Sequence, residues 1–194
     1  MKDSKLSMSQ HFTLTDTTIS GLVVLERKPI KDNRGLFERM FCKDELSKVL
    51  QGKSIVQVNH THTKKVGALR GMHFQYPPHA ELKFVSCLKG EVFDVAVDLR
   101  QSSSTFLRWH AELLSADNFK TFVIPEGFAH GFQTLTEDCE MYYFHTAAYS
   151  TESEGALNAL DPRLNITWPK SITEQSERDQ AHPMLGDDFD GVAL

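Results

Sequence analysis

Histidine, lysine, tyrosine and aspartate side chains, which can move protons near neutral pH, recur through the middle and the end of this sequence. They are His73, Lys83, His130, Tyr143 and Asp179, and they stand with Arg70, Tyr149 and Arg178. Histidine has a reference pKa of about 6.5, so it is a suitable general base at working pH. Together with the arginines, the set suits acid–base chemistry on an anionic substrate. Spacing alone does not show that these side chains meet in space.

The elements predicted to carry these side chains are short β-strands at intervals of roughly ten residues. They are 82–88, 91–100, 121–125, 131–135 and 140–149. The second alternates between apolar residues from Phe93 to Leu99 and polar or small residues from Asp94 to Asp98, which is typical of a half-buried strand. The Lys-Gly pair at 89–90 predicts a hairpin turn. The many short strands favour a mostly β sandwich or jelly roll.

Helices are predicted to be few and short. The best candidate is 42–52, and a second helical segment is predicted around 172–180.

Arg70 and His73 would lie on opposite faces of a regular strand, because side chains alternate along it. Both can reach one pocket only if the strand bulges, and Gly71 is the natural place for a bulge.

Composition predicts one folded domain, 1–194. Hydrophobic residues make up 40% of the 194 residues, and the formal net charge is -5 without a basic run, which argues against a nucleic-acid partner.

The N-terminus has no apolar segment typical of a secretory signal, and no stretch approaches the ~18 apolar residues of a membrane span. The three widely spaced cysteines, without a CxxC pair, predict free thiols and a cytoplasmic setting.

Nine sequence blocks, in order from about Asp32 to Asp179, carry a resemblance to a known family. They are DNRGLFER (32–39), QVNHTHT (57–63), LRGMHFQYPP (69–78), LKFV (82–85), GEVFDVAVDLR (90–100), IPEGFAHGF (124–132), Tyr143 with Tyr149, DPRLNITWP (161–169) and SERD (176–179). In this order they resemble the dTDP-4-dehydrorhamnose 3,5-epimerase family, whose members have a cupin fold. The resemblance implies a mostly β, cupin-type jelly-roll barrel with a few short helices.

The resemblance also implies a role for each candidate side chain. His73 matches the family's general base, Asp179 its partner, and Tyr143 the proton donor on the opposite face of the sugar. Lys83 matches a residue near the developing oxyanion, and Arg70 matches a phosphate contact. Further matched substrate contacts are Arg34, Glu38, Gln57, Asn59, His130, Glu154, Arg178 and Tyr149, the aromatic that stacks on the pyrimidine.

The implied activity is inversion of C3, C5 or both in a nucleoside-diphosphate 4-keto-6-deoxyhexose, for deoxysugar supply to a polysaccharide or a glycosylated metabolite. A 4-keto group acidifies the protons on C3 and C5, and a lysine ammonium can stabilise the enolate, so no cofactor is implied. The glycine-rich dinucleotide and phosphate fingerprints are absent from the sequence. The family's N-terminal contacts reach into the partner's site, which implies a homodimer. The net charge and the lack of a long apolar stretch argue against nucleic-acid and membrane partners. The sequence leaves open whether the nucleotide is dTDP or CDP.

Two departures from the family's pattern bear on specificity. Phe144 follows the donor tyrosine where a lysine is usual, and His62 stands where an arginine is common.

Two alternative functions also remain open. A metal-dependent cupin enzyme would use His130, but Gln75 stands where a second histidine is expected and the HxH at 60–62 precedes the required strand. A non-catalytic sugar-nucleotide binding protein would not need a proton-transferring pair.

Overall fold

The computed structural model describes residues 5–194, and nearly every regular element in it is a β-strand. The predicted absence of a signal segment rests partly on residues 1–4, which lie outside the described residues. In chain order the elements are β1 (Lys5–Met8), β2 (Phe12–Asp16), β3 (Val23–Arg27), β4 (Ile30–Asp32), β5 (Gly35–Phe37), α1 (Ser47–Leu50), β6 (Gln57–Thr63), β7 (Leu69–Gln75), β8 (Lys83–Lys89), β9 (Glu91–Asp98), β10 (Trp109–Ser115), β11 (Lys120–Ile124), β12 (Phe128–Thr134), β13 (Cys139–His145), β14 (Glu154–Ala156) and α2 (Glu177–Gln180). No helix in the described part of the chain has the length and apolar character needed to cross a bilayer.

Two antiparallel sheets pack against each other. One has seven strands in the order β1-β2-β3-β11-β8-β13-β6, and the other has five in the order β10-β9-β12-β7-β14. Sequential strands often belong to different sheets, so the chain crosses repeatedly from one layer to the other, while β4 and β5 form a separate hairpin. The predicted fold class, a mostly β jelly-roll barrel with a few short helices, is confirmed.

The core between the sheets is built from side chains of both layers. Val85, Phe122 and Met141 of the seven-stranded sheet meet Val92 and Ala96 of the five-stranded sheet. All five are fully buried. Burying a valine, phenylalanine or methionine side chain contributes roughly 1.5–3 kcal/mol, so this layer holds the two sheets together.

The five-stranded sheet is covered on its outer face as well, so the prediction that β9 is half-buried is wrong. Val95 packs beneath the C-terminal segment, against Leu164 and Val192. On the opposite face of β9, Asp94 and Asp98 are fully buried rather than solvated. The alternation of the strand is as predicted, but the chain that follows β14 covers its apolar face, and the face expected to be exposed turns toward the other sheet, where Ala96 joins the core.

The outer face of the seven-stranded sheet is covered by the segment around α1. Leu46 and Leu50 are buried there against Phe84. The helix predicted over 42–52 is shorter than expected, because turns rather than α-helix precede Ser47. The predicted segment at 172–180 similarly narrows to the four residues of α2.

The predicted hairpin between β8 and β9 does not form. β8 pairs with β11 and β13, whereas β9 pairs with β10 and β12. Gly90 adopts a φ of +77°, and a Cβ at this position would lie 2.5 Å from Thr136 Oγ1. The glycine turn is therefore real, but it carries the chain from one sheet to the other.

The bulge predicted at Gly71 is present in β7. His73 lies opposite His130 of β12, and Arg70 lies opposite Phe132, so β7 accommodates one extra residue between these pairs. Gly71 has a φ of +117°, and a Cβ would lie 2.6 Å from the Cα of the facing glycine. Only glycine fits so close an approach. As a result, Arg70 and His73 line the same cavity.

Candidate active site

A cavity of about 330 Å³ opens between the two sheets. Strands β7 and β12 supply one wall, strands β6, β8 and β13 supply the other, and residues at α2 close one edge. The lining includes Asn59, Thr61, Arg70, His73, Lys83, His130, Tyr143, His145, Arg178 and Asp179. Another cavity, of about 400 Å³, lies near Leu14 and Glu126, but no histidine, tyrosine or cysteine lines it. The first cavity, called the barrel cavity below, is therefore the candidate active site.

Two neighbouring cavities share walls with the barrel cavity. One, of about 210 Å³, shares His73 and Lys83 with it and adds Tyr149. The other, of about 390 Å³, shares Arg70 and adds Lys65. The three cavities therefore adjoin one another through shared side chains, and the region that they form is called the groove below.

His73 on β7 is hydrogen bonded to Asp179 on α2. The distance from His73 Nε2 to Asp179 Oδ1 is 2.8 Å. An ionised carboxylate only accepts hydrogen bonds, so Nε2 carries a proton and Nδ1 is the basic nitrogen. The His73 side chain is 36% exposed, whereas that of Asp179 is only 6% exposed. The histidine is therefore oriented by a buried anion and remains accessible to a ligand.

The surroundings of Asp179 keep its carboxylate charged. Burial by itself raises the pKa of Asp179, but bonds from His73, the Gly71 N–H and Ser176 hold that pKa below its usual range. Ser176 also caps α2, accepting a hydrogen bond of 3.0 Å from the Asp179 N–H. An ionised aspartate in this position fixes the tautomer of His73 and stabilises the imidazolium that proton abstraction would create.

A second histidine, His182, lies beside this pair and was not predicted from the sequence. His182 Nε2 is 3.2 Å from Asp179 Oδ1, and the His182 and His73 rings pack edge to face with centroids 5.4 Å apart. Burial lowers the pKa of His182, and the nearby His73 lowers it further. Ligand atoms of these three residues lie within 4.8 Å of one another, so they are the group in the described chain that could hold a metal ion. The available sequence signal for His182 was its position three residues after Asp179.

Tyr143 reaches the barrel cavity from β13, in the sheet that faces His73. The residue is 8% exposed, and its hydroxyl lies 3.4 Å from Thr61 Oγ1. Burial raises the pKa of Tyr143 well above its usual value, which keeps the side chain as a neutral phenol. A histidine base and a phenol therefore line one cavity from two different sheets.

His130 is fixed in the barrel cavity by a buried carboxylate. Its Nε2 lies 2.9 and 3.0 Å from the two oxygens of Asp94. Burial raises the pKa of Asp94, although the charge and hydrogen bond of His130 oppose that effect. Asp94 therefore orients the His130 ring.

Lys83 enters the barrel cavity from β8 and is paired with Glu81. The distance from Lys83 Nζ to Glu81 Oε1 is 3.0 Å, and His145 Nδ1 donates to Glu81 Oε2 over 2.7 Å. Burial raises the pKa of Glu81, but His145 and Lys83 outweigh it and lower that pKa below its usual value. The sequence motifs pointed to neither Glu81 nor His145. The available signal for His145 was its spacing of two residues from Tyr143, at which strand residues share a face. Glu81 precedes β8 and had only its closeness to Lys83 in sequence.

Positively charged side chains lie together at the larger neighbouring cavity. Arg70 Nε donates to Thr63 Oγ1 over 3.1 Å, which holds the guanidinium at the boundary of two cavities. Lys64 and Lys65 line the second of these cavities. Neither lysine was predicted from the sequence. Three cations so placed can bind a diphosphate.

Several predicted substrate contacts form a cluster at the smaller neighbouring cavity. The Tyr149 hydroxyl donates to Glu154 Oε2 over 3.0 Å, and Arg178 pairs with the other Glu154 oxygen. Gln57 Oε1 accepts a hydrogen bond of 2.9 Å from the Tyr149 N–H. Asn59 bonds to both Gln57 and His145. Tyr149 is 53% exposed, which leaves its ring accessible for stacking.

Arg34 and Glu38, two predicted substrate contacts, do not line the barrel cavity of their own chain. Arg34 lies in the exposed turn between β4 and β5 and pairs with Asp32. Glu38 accepts a hydrogen bond of 2.7 Å from the buried Arg27 guanidinium. The structure therefore brings the other predicted site residues together but leaves these two outside.

The residues considered for a cupin-type metal site are not brought together. Along β6, Thr61 lines the barrel cavity, whereas His60 and His62 pair with carboxylates outside it. The Gln75 amide donates to two backbone carbonyl groups. His130 therefore has neither an HxH pair nor Gln75 beside it in the barrel cavity lining.

Comparison with known proteins gives matches over most of the chain. The sequence model of the family described as dTDP-4-dehydrorhamnose 3,5-epimerase matches residues 16–187. The Salmonella typhimurium (strain LT2) protein of that name is 44% identical over 171 residues, covering 87% of this chain and 93% of that protein. The matched range contains every residue that lines the barrel cavity.

Solved structures with the same fold include two ligand complexes. A 3,5-epimerase from Legionella pneumophila, solved with dTDP-4-keto-L-rhamnose, is similar with a TM-score of 0.85 and 38% identity, covering 90% of this chain and 93% of that one. A dTDP-4-dehydrorhamnose 3,5-epimerase from Bacillus anthracis, with TDP and PPi bound, gives a TM-score of 0.86 and 34% identity. The match covers 90% of this chain and 99% of that one.

Proposed function

The chain belongs to the dTDP-4-dehydrorhamnose 3,5-epimerase family, and on that premise we propose that its barrel cavity binds and epimerises a nucleoside-diphosphate 4-keto-6-deoxyhexose. The enzyme is an isomerase that inverts C3, C5 or both. One observation carries the assignment of the chemistry to particular residues: His73 and Tyr143 line a single cavity from opposite sheets. A ring held between them would have a base on one face and a proton donor on the other.

His73 acts as the general base. Its Nδ1 removes a proton next to the keto group, and the imidazolium that forms is stabilised by the ionised Asp179 at 2.8 Å. The electrons of the C–H bond pass into an enolate, whose oxygen gains negative charge. The Lys83 ammonium stabilises that oxygen, because a preplaced cation in a buried site is worth more than one in water.

Tyr143 returns a proton to the opposite face. A phenol of raised pKa is a weak acid, but an enolate carbon is a strong base, so the transfer remains feasible. Inversion follows because the proton leaves toward the His73 side and arrives from the Tyr143 side. The neutral phenol is the form that this step requires.

The rest of the substrate binds where the groove leaves the barrel cavity. Arg70, which lines that cavity, binds the diphosphate next to the sugar through charge-assisted hydrogen bonds. Tyr149 stacks on the nucleobase beyond it, and its hydroxyl is held by Glu154, which pairs with Arg178. The protein acts on dTDP- or CDP-linked sugars. The three unpaired cysteines support a cytoplasmic setting.

One experiment tests this function against its alternatives. The protein is incubated in heavy water with dTDP- and CDP-linked 4-keto-6-deoxyglucose, with and without EDTA, and NMR follows deuterium at C3 and C5. We expect exchange and inversion with at least one nucleotide, unchanged by EDTA. Loss of exchange with EDTA and recovery with added metal would favour a metal enzyme. Binding without any exchange would favour a non-catalytic carrier.

The enzyme works as a homodimer whose β4–β5 hairpins reach the partner's site. The hairpin exposes large apolar side chains, with Ile30, Leu36 and Phe37 at 60%, 53% and 64% exposure. Patches of this kind often mark protein–protein contacts. Arg34 at the tip of the hairpin is unused by its own site, which supports a role in the partner's site. Glu38 is less suited to that role because its carboxylate is bonded to Arg27.

Mixing two inactive variants tests the shared site. Arg34→Ala lacks the hairpin contact and His73→Asn lacks the base. If the hairpin serves the partner, a mixed dimer contains one complete site, and random exchange of subunits restores about a quarter of wild-type sites. The readout is turnover after mixing, with molar mass measured by light scattering. A monomer, or a mixture no more active than its components, would contradict the shared site.

A further inference from the structure

A buried carboxylate outside the family blocks, Glu81, bridges two side chains of the barrel cavity. Its oxygens lie 3.0 Å from Lys83 Nζ and 2.7 Å from His145 Nδ1. The three side chains are 8%, 10% and 10% exposed. We propose that Glu81 is a positioning residue, whose charge and two hydrogen bonds hold the Lys83 ammonium where the enolate oxygen forms. This inference rests on the proposed function and adds a residue to it.

A chain of hydrogen bonds sets the orientation of His145, which in turn holds Glu81. Asn59 Nδ2 lies 3.3 Å from His145 Nε2, Gln57 Nε2 donates to Asn59 Oδ1 over 3.3 Å, and the Tyr149 N–H donates to Gln57 Oε1 over 2.9 Å. Because a carboxylate only accepts, His145 carries its proton on Nδ1 and accepts on Nε2. Every donor in the chain then points toward Glu81, so His145 holds Oε2 of the carboxylate while Oε1 faces Lys83.

Lys83 needs a negative partner because it is buried. A buried ammonium loses its hydration, which favours the neutral amine unless an anion lies close by. Asp94 is also near, but both of its oxygens are bonded to His130. Among the described residues, Glu81 is therefore the carboxylate in direct contact with Lys83. It also fixes the position of the cation, on which the stabilisation of developing charge depends.

Glu81→Gln tests the proposal, because glutamine keeps the shape of the side chain and removes its charge. With dTDP-4-keto-6-deoxyglucose we expect kcat to fall about 10- to 100-fold and KM to change less than about threefold. Deuterium exchange at C3 and C5 should fall by the same factor at every carbon that exchanges, because each enolate has the same oxygen. A folded variant with unchanged kcat would overturn the proposal.

A double-mutant cycle shows whether Glu81 acts through Lys83. Lys83→Met is compared with the double variant Lys83→Met/Glu81→Gln, and we expect their kcat values to agree within about twofold. A double variant about tenfold slower than Lys83→Met would overturn the proposal, since Glu81 would then act independently. The comparison holds even if Glu81→Gln alone does not fold, because the double variant leaves neither charge buried without its partner.

The chain offers a matched control in Glu112. Its carboxylate also bridges a histidine and a lysine, with distances of 2.9 Å to His110 and 2.8 Å to Lys120, but it does not line the barrel cavity. Glu112→Gln is expected to keep kcat within about twofold of wild type. An equal loss in both variants would overturn the assignment to Glu81. Absence of exchange in the wild type would overturn the proposed function. An active wild type together with a Glu81→Gln variant of unchanged kcat would overturn this inference alone.

Discussion

Replacing His73 with asparagine is expected to abolish hydrogen exchange at both C3 and C5, with a loss of turnover of at least about 10³-fold. Asparagine is of similar size and can still donate to Asp179, but it has no basic nitrogen at neutral pH. Without a base, no enolate forms, and every later step is lost with it. NMR of dTDP-4-keto-6-deoxyglucose in heavy water measures this loss at each carbon separately.

His60→Asn is the matched control for this prediction. His60 is on β6, next to the barrel cavity, but it is 44% exposed and pairs with Glu140 instead of a cavity residue. Its replacement should leave the exchange rate unchanged. Exchange in His73→Asn at rates near those of the wild type would show that another group is the base, and His182, beside Asp179, would be the first to examine.

Replacing Tyr143 with phenylalanine is expected to separate exchange from inversion. The enolate still forms, because His73 and Lys83 remain, but the opposite face has lost its donor, so inversion slows about 10²-fold. The His73 imidazolium exchanges its proton with solvent and returns a deuteron to the original face. Substrate therefore gains deuterium without changing configuration, and the ratio of labelled substrate to inverted product, measured by NMR, rises sharply.

Tyr142→Phe controls for loss of a tyrosine hydroxyl on the same strand. Tyr142 does not line the barrel cavity and packs against His60, with ring centroids 4.8 Å apart. The variant should invert at the wild-type rate. Should Tyr143→Phe also invert at that rate, water or a different side chain would be the donor, and the assignment of Tyr143 would fail.

Strands β8, β9, β11, β12 and β13 could be predicted because their pattern is local. Alternation along β9 and the apolar runs of β8 and β13 arise from the two-residue period of the strand itself. The bulge at Gly71 was predictable because the resemblance placed Arg70 and His73 in one pocket, which a regular strand would not allow. Only glycine permits the close approach at the bulge. The nine blocks placed most of the site, because their residues are recognisable without knowing their contacts.

Two departures from the predicted fold, the missing hairpin and the burial of β9 on both faces, have one cause. A glycine turn such as that at Gly90 has the same local chemistry whether the next strand pairs with the last or crosses to another sheet. Alternation in β9 likewise shows which residues share a face, but not what covers that face. The C-terminal segment, through residues such as Leu164 and Val192, covers the apolar face, and the other sheet covers the face that carries Asp94 and Ala96. Pairing and covering depend on parts of the chain far away in sequence.

By itself, then, the sequence determined five of the strands, the bulge and the family, and it singled out His73, Lys83, Tyr143 and Asp179, which line one cavity. Tertiary structure decided how these groups are held and which unpredicted residues join them. Glu81 and His145 are 64 residues apart, yet their side chains meet over 2.7 Å. The physical reason is that a buried charge needs its partner only after barrel closure has removed water from both. No local pattern records that requirement.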